Sequence, residues 1–297
     1  MINRILAFAL TGLIFAFESY ALTPTPSIAY TLSNRDTNLN WNIAGDANGA
    51  NPNVASELSW TDIKSNHLGI GLNWNDGDYF LNTLGEYGLI YSGNAQDSDY
   101  NLNNRQGEYS RAITDAGKGF MFDAQINYGK NFIISSDFKI SISAGYSSHT
   151  QHLSLYDGIE VISNTPLDNL DSVYEAKWSG PQVGMNTSYR LNNNIVSIGY
   201  THQQVTLKSY TDWNLRSDLE HPKSMTQSAN GAGRVLSIGV EHALSNKSSL
   251  TLKVISRDYM ADGMHTFHNV FIDNDVQKLN AANWKSQELQ LFYRSLF

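Results

Sequence analysis

Residues 120–128 read FMFDAQINY, and residues 140–147 read ISISAGYS. In both stretches every second residue is apolar and the residues between are small or polar, a period of two that predicts β-strands. The same period recurs near residues 68–74, 183–189 and 236–241. A water-soluble sandwich would turn the apolar faces inward, whereas a membrane barrel would turn them to lipid. Alternation alone therefore predicts an all-β chain and leaves both architectures open.

The lengths of the connections between these strands favour the barrel. Short turn-like connections lie at Asn75–Asp78, Ile133–Asp137, Leu191–Asn194 and Ser245–Ser248. They alternate with longer polar connections near Gly45–Val54, Asn94–Lys118, Gly158–Asp171, Asp212–Gly231 and Met264–Asn283. Short turns at one end and long loops at the other are typical of bacterial outer-membrane barrels. The pattern predicts a transmembrane, antiparallel, up-and-down β-barrel of about ten strands, with long outer loops and short periplasmic turns.

The N-terminus has the pattern of a secretory signal peptide. Arg4 supplies a positive charge, the apolar run Ile5–Phe17 follows, and the small residue Ala21 suits cleavage. We therefore expect a signal peptide over residues 1–21 and a single barrel domain over residues 22–297. An uncleaved N-terminal anchor is the alternative interpretation of the same run.

The C-terminus fits a last barrel strand. Leu289, Leu291 and Tyr293 alternate with polar or aromatic neighbours, and the chain stops at Phe297. Aromatic side chains at the membrane interfaces usually form girdles. The aromatic residues that we expect in these girdles are Trp60, Trp74, Tyr79 and Trp284.

Composition excludes several classes of function. The chain of 297 residues has no Cys, so a disulfide, a thiol nucleophile and a thiolate metal site are all ruled out. A net charge of -8 argues against a nucleic-acid partner, which would require a basic surface. His221, His265 and His268 lack the supporting ligands of a metal site, so we predict no built metal site and no cofactor. Calcium bound at the surface by loop carboxylates is the alternative.

Two acidic clusters near the ends of predicted strands are candidate sites. Asp97 and Asp99 stand two residues apart, which on a strand places both carboxyls on one face. Such a pair can share a proton or hold a water molecule, although a solvated acidic loop has the same sequence. The second cluster contains Asp212 and His221, where an Asp can fix the tautomer of a His. A capped loop with a passive surface His is the alternative for this cluster.

Several short motifs, in this order along the chain, make the sequence similar to the omptins, a family of ten-stranded outer-membrane endopeptidases. Three elements resemble the LDW, INW and DxDW elements of that family: Leu58–Trp60, Ile70–Trp74 and Gly93–Tyr100. Less exact likenesses to further omptin elements follow at Tyr109–Arg111, at Ala144–Gly158 and at Gly184–Arg190. The likeness spans most of the chain after the predicted signal peptide.

The resemblance implies a peptidase whose Asp pair faces an Asp–His pair across a groove, with the attacking water between them. Asp97 and Asp99 match the first pair, and Asp212 matches the Asp of the second. Asn214 stands near the position of the omptin His, and a neutral amide cannot act as a base. His221 is then the candidate displaced base, with Asp212 orienting it.

Further expectations follow from the resemblance. Omptin grooves are acidic, and the side chains that we expect at a similar mouth here are Glu86, Asp97, Asp99, Asp212 and Glu220. Such a mouth would attract basic peptides or host proteins by their charge. Outer-membrane lipid and lipopolysaccharide are the other expected partners, and lipopolysaccharide is an expected requirement for activity.

Three functions remain open from the sequence. The first is an omptin-like endopeptidase with Asp97, Asp99, Asp212 and His221 as catalytic residues. The second is a non-proteolytic surface protein of the same fold, acting as an adhesin or an outer-membrane scaffold. The third is a small porin, which ranks last because side chains largely fill a barrel of this size.

Overall fold

The computed structural model describes residues 25–297, so the predicted signal peptide over residues 1–21 lies outside the described residues. In the described part no helix is long and apolar enough to cross a membrane. The structure is all-β, and its strands are β1 (Thr25–Ile43), β2 (Ser56–Asn75), β3 (Tyr79–Leu102), β4 (Gln106–Asp115), β5 (Gly119–Ile133), β6 (Phe138–Glu160), β7 (Thr165–Leu191), β8 (Asn194–Asp212), β9 (Met225–Ser245), β10 (Ser248–Phe267) and β11 (Asp275–Leu296).

The strands form one closed antiparallel ring. Consecutive strands pair along the chain, except for β4 and β5. Strand β1 pairs with both β2 and β11, so the ladder returns to its start. Strands β4 and β5 lie end to end, because each of them pairs with β3 on one side and β6 on the other. The 11 strands therefore occupy about ten positions around the ring, which confirms the predicted barrel.

The break between β4 and β5 depends on a glycine. Gly119 has a φ of +128°, and a Cβ there would lie 2.0 Å from the backbone oxygen of His152. Only glycine tolerates this conformation and this close approach. The residue thus allows the chain to leave β4 and re-enter the same ring position as β5.

The two ends of the barrel differ in their connections. We call the "turn end" the one closed by residues 76–78, 134–137, 192–193 and 246–247, and the "loop end" the one with residues 44–55, 103–105, 161–164, 213–224 and 268–274. The predicted long loops Asn94–Lys118 and Gly158–Asp171 are mostly strand, and this expectation was wrong. Their polar side chains lie on strands that continue beyond the apolar outer band, where neither face needs to be apolar.

The middle of the outer surface is apolar. Leu68, Val183 and Ile238 expose 69%, 59% and 58% of their surface and point away from the lumen. Exposed large apolar side chains recur on neighbouring strands at the same height, as in Tyr87 and Leu89. Such a band is typical of a barrel that turns its apolar face to lipid, so the predicted direction of the alternation is confirmed.

Side chains fill the lumen in two layers. An "ionic layer" consists of Arg35, Asp123, Arg257 and Glu288, all buried, with Arg35 at 2.6 Å from Asp123 and Arg257 at 2.6 Å from Glu288. Nearer the loop end lies an "aromatic core" of fully buried side chains, which are Trp60, Tyr174, Trp178, Tyr259 and Trp284. Paired charges and packed rings therefore fill the middle of the lumen along the described strands.

The predicted girdle was wrong for Trp60 and Trp284, which are both fully buried. Between Trp60 and Lys64 the register with β3 shifts, and Asp62 has a φ of 55°. The extra residue of this bulge turns Trp60 from the outer face to the lumen. Trp284 lies inward because it shares the face of Glu288 on β11.

The turn-end members of the predicted girdle, Trp74 and Tyr79, remain partly exposed. The ring of Tyr79 stacks on that of Tyr128 at a centroid distance of 6.0 Å. Both positions are compatible with an interfacial girdle at the turn end.

Candidate binding site at the loop end

A cavity of about 400 Å³ opens at the loop end, beyond the aromatic core. Strands β1, β2, β3, β4, β9, β10 and β11 contribute to its wall, together with the connections before β2, between β8 and β9 and between β10 and β11. The lining residues are Trp41, Ile43, Ala55, Ser56, Asp97, Asp99, Tyr109, Trp213, Arg216, Met225, Phe267, Asn269, Ile272, Asp275 and Gln277. We call this space the "loop-end cavity". Its lining combines aromatic, polar and charged side chains.

Asp97 and Asp99 lie on β3, beyond the last outward aromatic residue of the apolar band, Tyr91. They face Leu58 and Ser56 on β2, and both line the loop-end cavity, as the spacing of two predicts. Burial, and then the negative charge of Asp99, raise the pKa of Asp97 well above its usual value. Burial also raises the pKa of Asp99, against a hydrogen bond from Ser56 and the charge of Arg216.

Arg216 completes the charged wall from the far side. The connection 213–224 joins β8 to β9, which stand across the ring from β3. The guanidinium of Arg216 donates two hydrogen bonds to Asp218, at 2.8 Å and 2.7 Å. Its positive charge also acts on both Asp97 and Asp99, where it offsets part of the rise in pKa that burial causes. The group that faces the acid pair across the cavity is therefore a cation.

His221 lies against Asp212, as the resemblance implies for a displaced His. The distance from His221 Nδ1 to Asp212 Oδ1 is 2.6 Å. The other ring nitrogen, Nε2, lies 3.2 Å from the backbone oxygen of Arg216. Both ring nitrogens thus face oxygen acceptors, and the wall of the loop-end cavity contains neither His221 nor Asp212. In this arrangement neither nitrogen is directed at a water beside Asp97.

Asn214, which stands near the omptin His position, braces the loop end. Its side-chain oxygen accepts hydrogen bonds from the backbone of Asp171 and the hydroxyl of Ser172, both at 2.9 Å. Its amide nitrogen donates to the backbone oxygen of Asn169 at 2.7 Å. An amide can donate and accept in this way, so Asn214 ties the connection 213–224 to β7.

Glu86 was wrongly expected at the acidic mouth. It is buried in the lumen on the turn-end side of the ionic layer, where it accepts hydrogen bonds from Thr31 and Gln290 at 2.7 Å and 2.8 Å. On β3 its side chain is inward-facing, but far along the strand from Asp97. Glu220, also expected there, is exposed in the connection 213–224 and outside the cavity wall.

The remaining histidines of the loop end have structural contacts. His265 packs between the rings of Trp41 and Phe267, and burial lowers its pKa to about 3. His268 contacts the hydroxyl of Thr226 at 2.9 Å. Across residues 25–297 the structure brings together no group of three or more His, Cys, Asp or Glu that could hold a metal ion.

Sequence reasoning missed most residues of the cavity wall, and Trp41, Arg216 and Gln277 are the missed residues that bear on its chemistry. Trp41 shares the inward face of β1 with Leu39 and Ile43, so the alternation contained a signal for it. Gln277 lies next to β10 at the start of β11, opposite His265. Arg216 lies in an irregular connection, where no periodicity fixes the direction of a side chain.

One solved structure among the comparisons supports the fold, and two others are similar only at a low level. Among solved structures, the outer-membrane protease OmpT from Escherichia coli superposes with a TM-score of 0.75 at 12% identity, over 95% of this chain and 99% of that one. The translocator domain of the autotransporter NalP from Neisseria meningitidis gives a TM-score of 0.37 at 9% identity, over 91% of this chain and 88% of that one. A FadL homologue from Pseudomonas aeruginosa gives 0.30 at 9% identity, over 91% and 90%.

The likeness to OmpT, at this identity, is one of fold. Among curated proteins no relative matches the chain. The model of one protein family, described as Protochlamydia outer membrane protein, matches residues 31–293, which is most of the sequence. A closed antiparallel barrel with an apolar outer band accords with that description. The chain therefore belongs to the Protochlamydia outer membrane protein (Pom) family.

Proposed function

We propose that this protein is a non-proteolytic surface protein with an omptin-like barrel, whose loop end faces the outside of the cell and binds a ligand in the loop-end cavity. The observation that carries the proposal is the position of Arg216. Its guanidinium lines the cavity together with Asp97 and Asp99, where a water-activated peptidase would need a base.

The protonation chemistry of the wall supports binding rather than hydrolysis. A guanidinium stays charged and has no lone pair for a proton, so Arg216 cannot act as a base. The raised pKa values of Asp97 and Asp99 keep these carboxyls protonated to a higher pH than exposed aspartates. Loss of a positioned general base typically costs about 10²–10⁴-fold in rate. The arrangement is therefore poorly suited to activating water.

The orientation of the barrel follows from its two ends. Outer-membrane barrels place short turns in the periplasm and longer connections outside. Residues 213–224 and 268–274, which border the cavity, belong to the loop end and would face the medium. The filled lumen below them supports a surface role over passage through the barrel.

One contact favours a second candidate, an omptin-like endopeptidase that cleaves basic peptides. Asp212 and His221 form a close pair at 2.6 Å, the relationship that orients a catalytic base. For this function the connection 213–224 would have to move Arg216 aside and free His221 Nε2 from the backbone oxygen of Arg216. Lipopolysaccharide bound to the outer face would be the expected requirement for that active state.

The test compares peptide cleavage by four proteins refolded with lipopolysaccharide. The substrate is a fluorogenic peptide with a dibasic site, and the proteins are the wild type and the variants Asp97→Ala, His221→Ala and Asp262→Ala. Asp262 is exposed, pairs with Lys278 and lies outside the cavity wall, so its variant is the matched control. We expect no cleavage by any of the four. Cleavage by the wild type and the control, lost in both other variants, would establish the endopeptidase instead.

A further inference from the structure

Three polar atoms in the wall of the loop-end cavity are buried and have no hydrogen-bond partner within the protein. They are the indole Nε1 of Trp41, the carboxyl Oδ1 of Asp97 and the amide Oε1 of Gln277. They come from three different strands, β1, β3 and β11, and Trp41 is only 2% exposed. Leaving a buried polar atom without a partner is unfavourable, so native proteins leave few such atoms. Other buried atoms of the barrel also lack a partner, among them the indole nitrogens of Trp60, Trp178 and Trp284. Trp41, Asp97 and Gln277 differ from these three because they line an open cavity, where a ligand could supply the missing partners.

The donor and acceptor roles of these atoms restrict the ligand. The Trp41 indole can only donate a hydrogen bond, and Gln277 Oε1 can only accept one. The side-chain nitrogen of Gln277 is already engaged, because it donates to Asp275 at 2.6 Å. A partner must therefore offer both donors and acceptors at short spacing. Hydroxyl groups have this property, since each can donate one hydrogen bond and accept two.

Aromatic rings supply the rest of the wall. Trp41, Tyr109, Trp213 and Phe267 all line the cavity. Pyranose rings present C–H groups on their faces, which stack on aromatic rings, while their hydroxyls lie around the edge. An aromatic surface beside a cluster of hydrogen-bonding groups therefore has the complementary chemistry of a sugar ring.

The wall contains charged groups of both signs, with Asp97, Asp99 and Asp275 on one side and Arg216 on the other. Arg216 would repel an ammonium or guanidinium, and its own charge is already paired with Asp218. The raised pKa of Asp97 favours its protonated form, which both donates and accepts hydrogen bonds. A neutral ligand carries no charge that Arg216 or the carboxyl groups of the wall would repel.

We propose that the loop-end cavity binds a neutral saccharide unit, whose hydroxyls accept from Trp41 Nε1 and donate to Asp97 Oδ1 and Gln277 Oε1. The inference names the ligand class of the proposed surface function and rests on it. The cavity of about 400 Å³ lies in the usual range of roughly 300–1,000 Å³ for small-molecule pockets. The occupant is thus a terminal sugar or a short segment of a glycan.

Binding of defined neutral oligosaccharides to the full barrel in detergent tests this proposal. The probes are maltotriose, cellotriose and triacetylchitotriose, and a Lys-Arg peptide of similar length is the competing class. Titration calorimetry measures affinity, and tryptophan fluorescence reports on Trp41 and Trp213 in the wall. The variants are Gln277→Leu and Tyr109→Ala, with Gln287→Leu as control. Gln287 lies on the same strand but bonds to Ser256 outside the cavity.

We expect saturable binding of at least one trisaccharide, weakened about tenfold by Gln277→Leu through loss of one hydrogen bond. Tyr109→Ala, at a side chain that is 59% exposed and so is not needed for folding, should also weaken binding. The control should bind like the wild type. Two results would overturn the proposal: no binding of any neutral probe, or affinity that Gln277→Leu leaves unchanged.

Tight binding of the Lys-Arg peptide alone would also overturn the saccharide proposal and make the cavity a peptide site. Failure of the proposed function is distinguishable, because it appears as peptide cleavage in the separate assay with Asp97→Ala and His221→Ala. A barrel that neither cleaves peptides nor binds sugars would leave the non-proteolytic function standing without this ligand.

Discussion

Replacing Arg35 by methionine removes the cation at the centre of the ionic layer. The guanidinium of Arg35 donates from Nη2 to Asp123 at 2.6 Å and from Nε to Glu288 at 2.9 Å. The three side chains are almost completely buried. Methionine has a similar length and packs well, but it leaves two buried carboxylates with fewer partners.

The remaining partners decide the size of the effect. Loss of one partner of a buried ion pair typically destabilises a protein by about 3–5 kcal/mol. Glu288 keeps Arg257 at 2.6 Å, and Asp123 keeps the ring of His149 at 2.9 Å. We therefore expect the lower end of this range, a loss of about 3 kcal/mol in the free energy of unfolding for Arg35→Met.

The assay is urea unfolding of the refolded barrel in detergent, followed by tryptophan fluorescence. Arg234→Met is the matched control, because Arg234 is exposed on the outer face of β9, and it should change the free energy of unfolding by less than about 0.5 kcal/mol. If Arg35→Met were as stable as this control, the argument that buried ion pairs hold the lumen together would be refuted.

Three other predictions follow from the same structure. Folding raises the pKa of Asp97, so the wild type should lose stability as the pH rises from about 4 to about 8, and Asp97→Asn should not lose this contribution. Urea midpoints of both proteins at the two pH values measure the effect. A difference between the two proteins that stays constant with pH would contradict it. Gly88→Ala should destabilise the barrel by about 1–3 kcal/mol, because the new Cβ would lie 2.4 Å from the buried His67 ring; an unchanged urea midpoint would show that the ring yields freely. The wild-type barrel should show no steady conductance in a planar lipid bilayer, because side chains fill its lumen, and stable open-channel steps would argue for a porin.

Much of the barrel was predictable because lipid imposes a strict period on the strands. Leu68 and Ile238 could be assigned to the outer face from alternation, and both are exposed there. The lengths of the connections at the loop end were not predictable in the same way. Beyond the lipid band both faces of a strand can be polar, so Asn94–Lys118 has the composition of a loop although most of it is strand.

A single bulge shows why some inward residues were missed. Trp60 has the apolar character of a girdle residue, and only the extra residue near Asp62 reverses its direction. A period of two contains no information on where an insertion of one residue occurs. The same shift makes Trp60 available to stack on Tyr174 in the aromatic core, at a centroid distance of 4.8 Å.

In the candidate site, too, residues on strands were predictable, and a residue in an irregular connection was not. The shared face of Asp97 and Asp99 followed from strand geometry, and the structure brings both into one cavity. The resemblance led to the pairing of Asp212 with His221, which the structure contains. Arg216 was not predictable, because its position depends on the path of the irregular connection 213–224. Under the proposed function, this one side chain makes the wall suited to binding a ligand and not to activating water.

Hydrolysis in water enriched in the heavy oxygen isotope tests this claim most directly. A water molecule activated beside Asp97 would leave the heavy isotope in the new carboxyl group of a cleaved dibasic peptide, and mass spectrometry detects this even at very slow turnover. We expect no more labelled product from the wild type with lipopolysaccharide than from Asp97→Ala. Labelled product that accumulates with the wild type and disappears with Asp97→Ala would contradict the account.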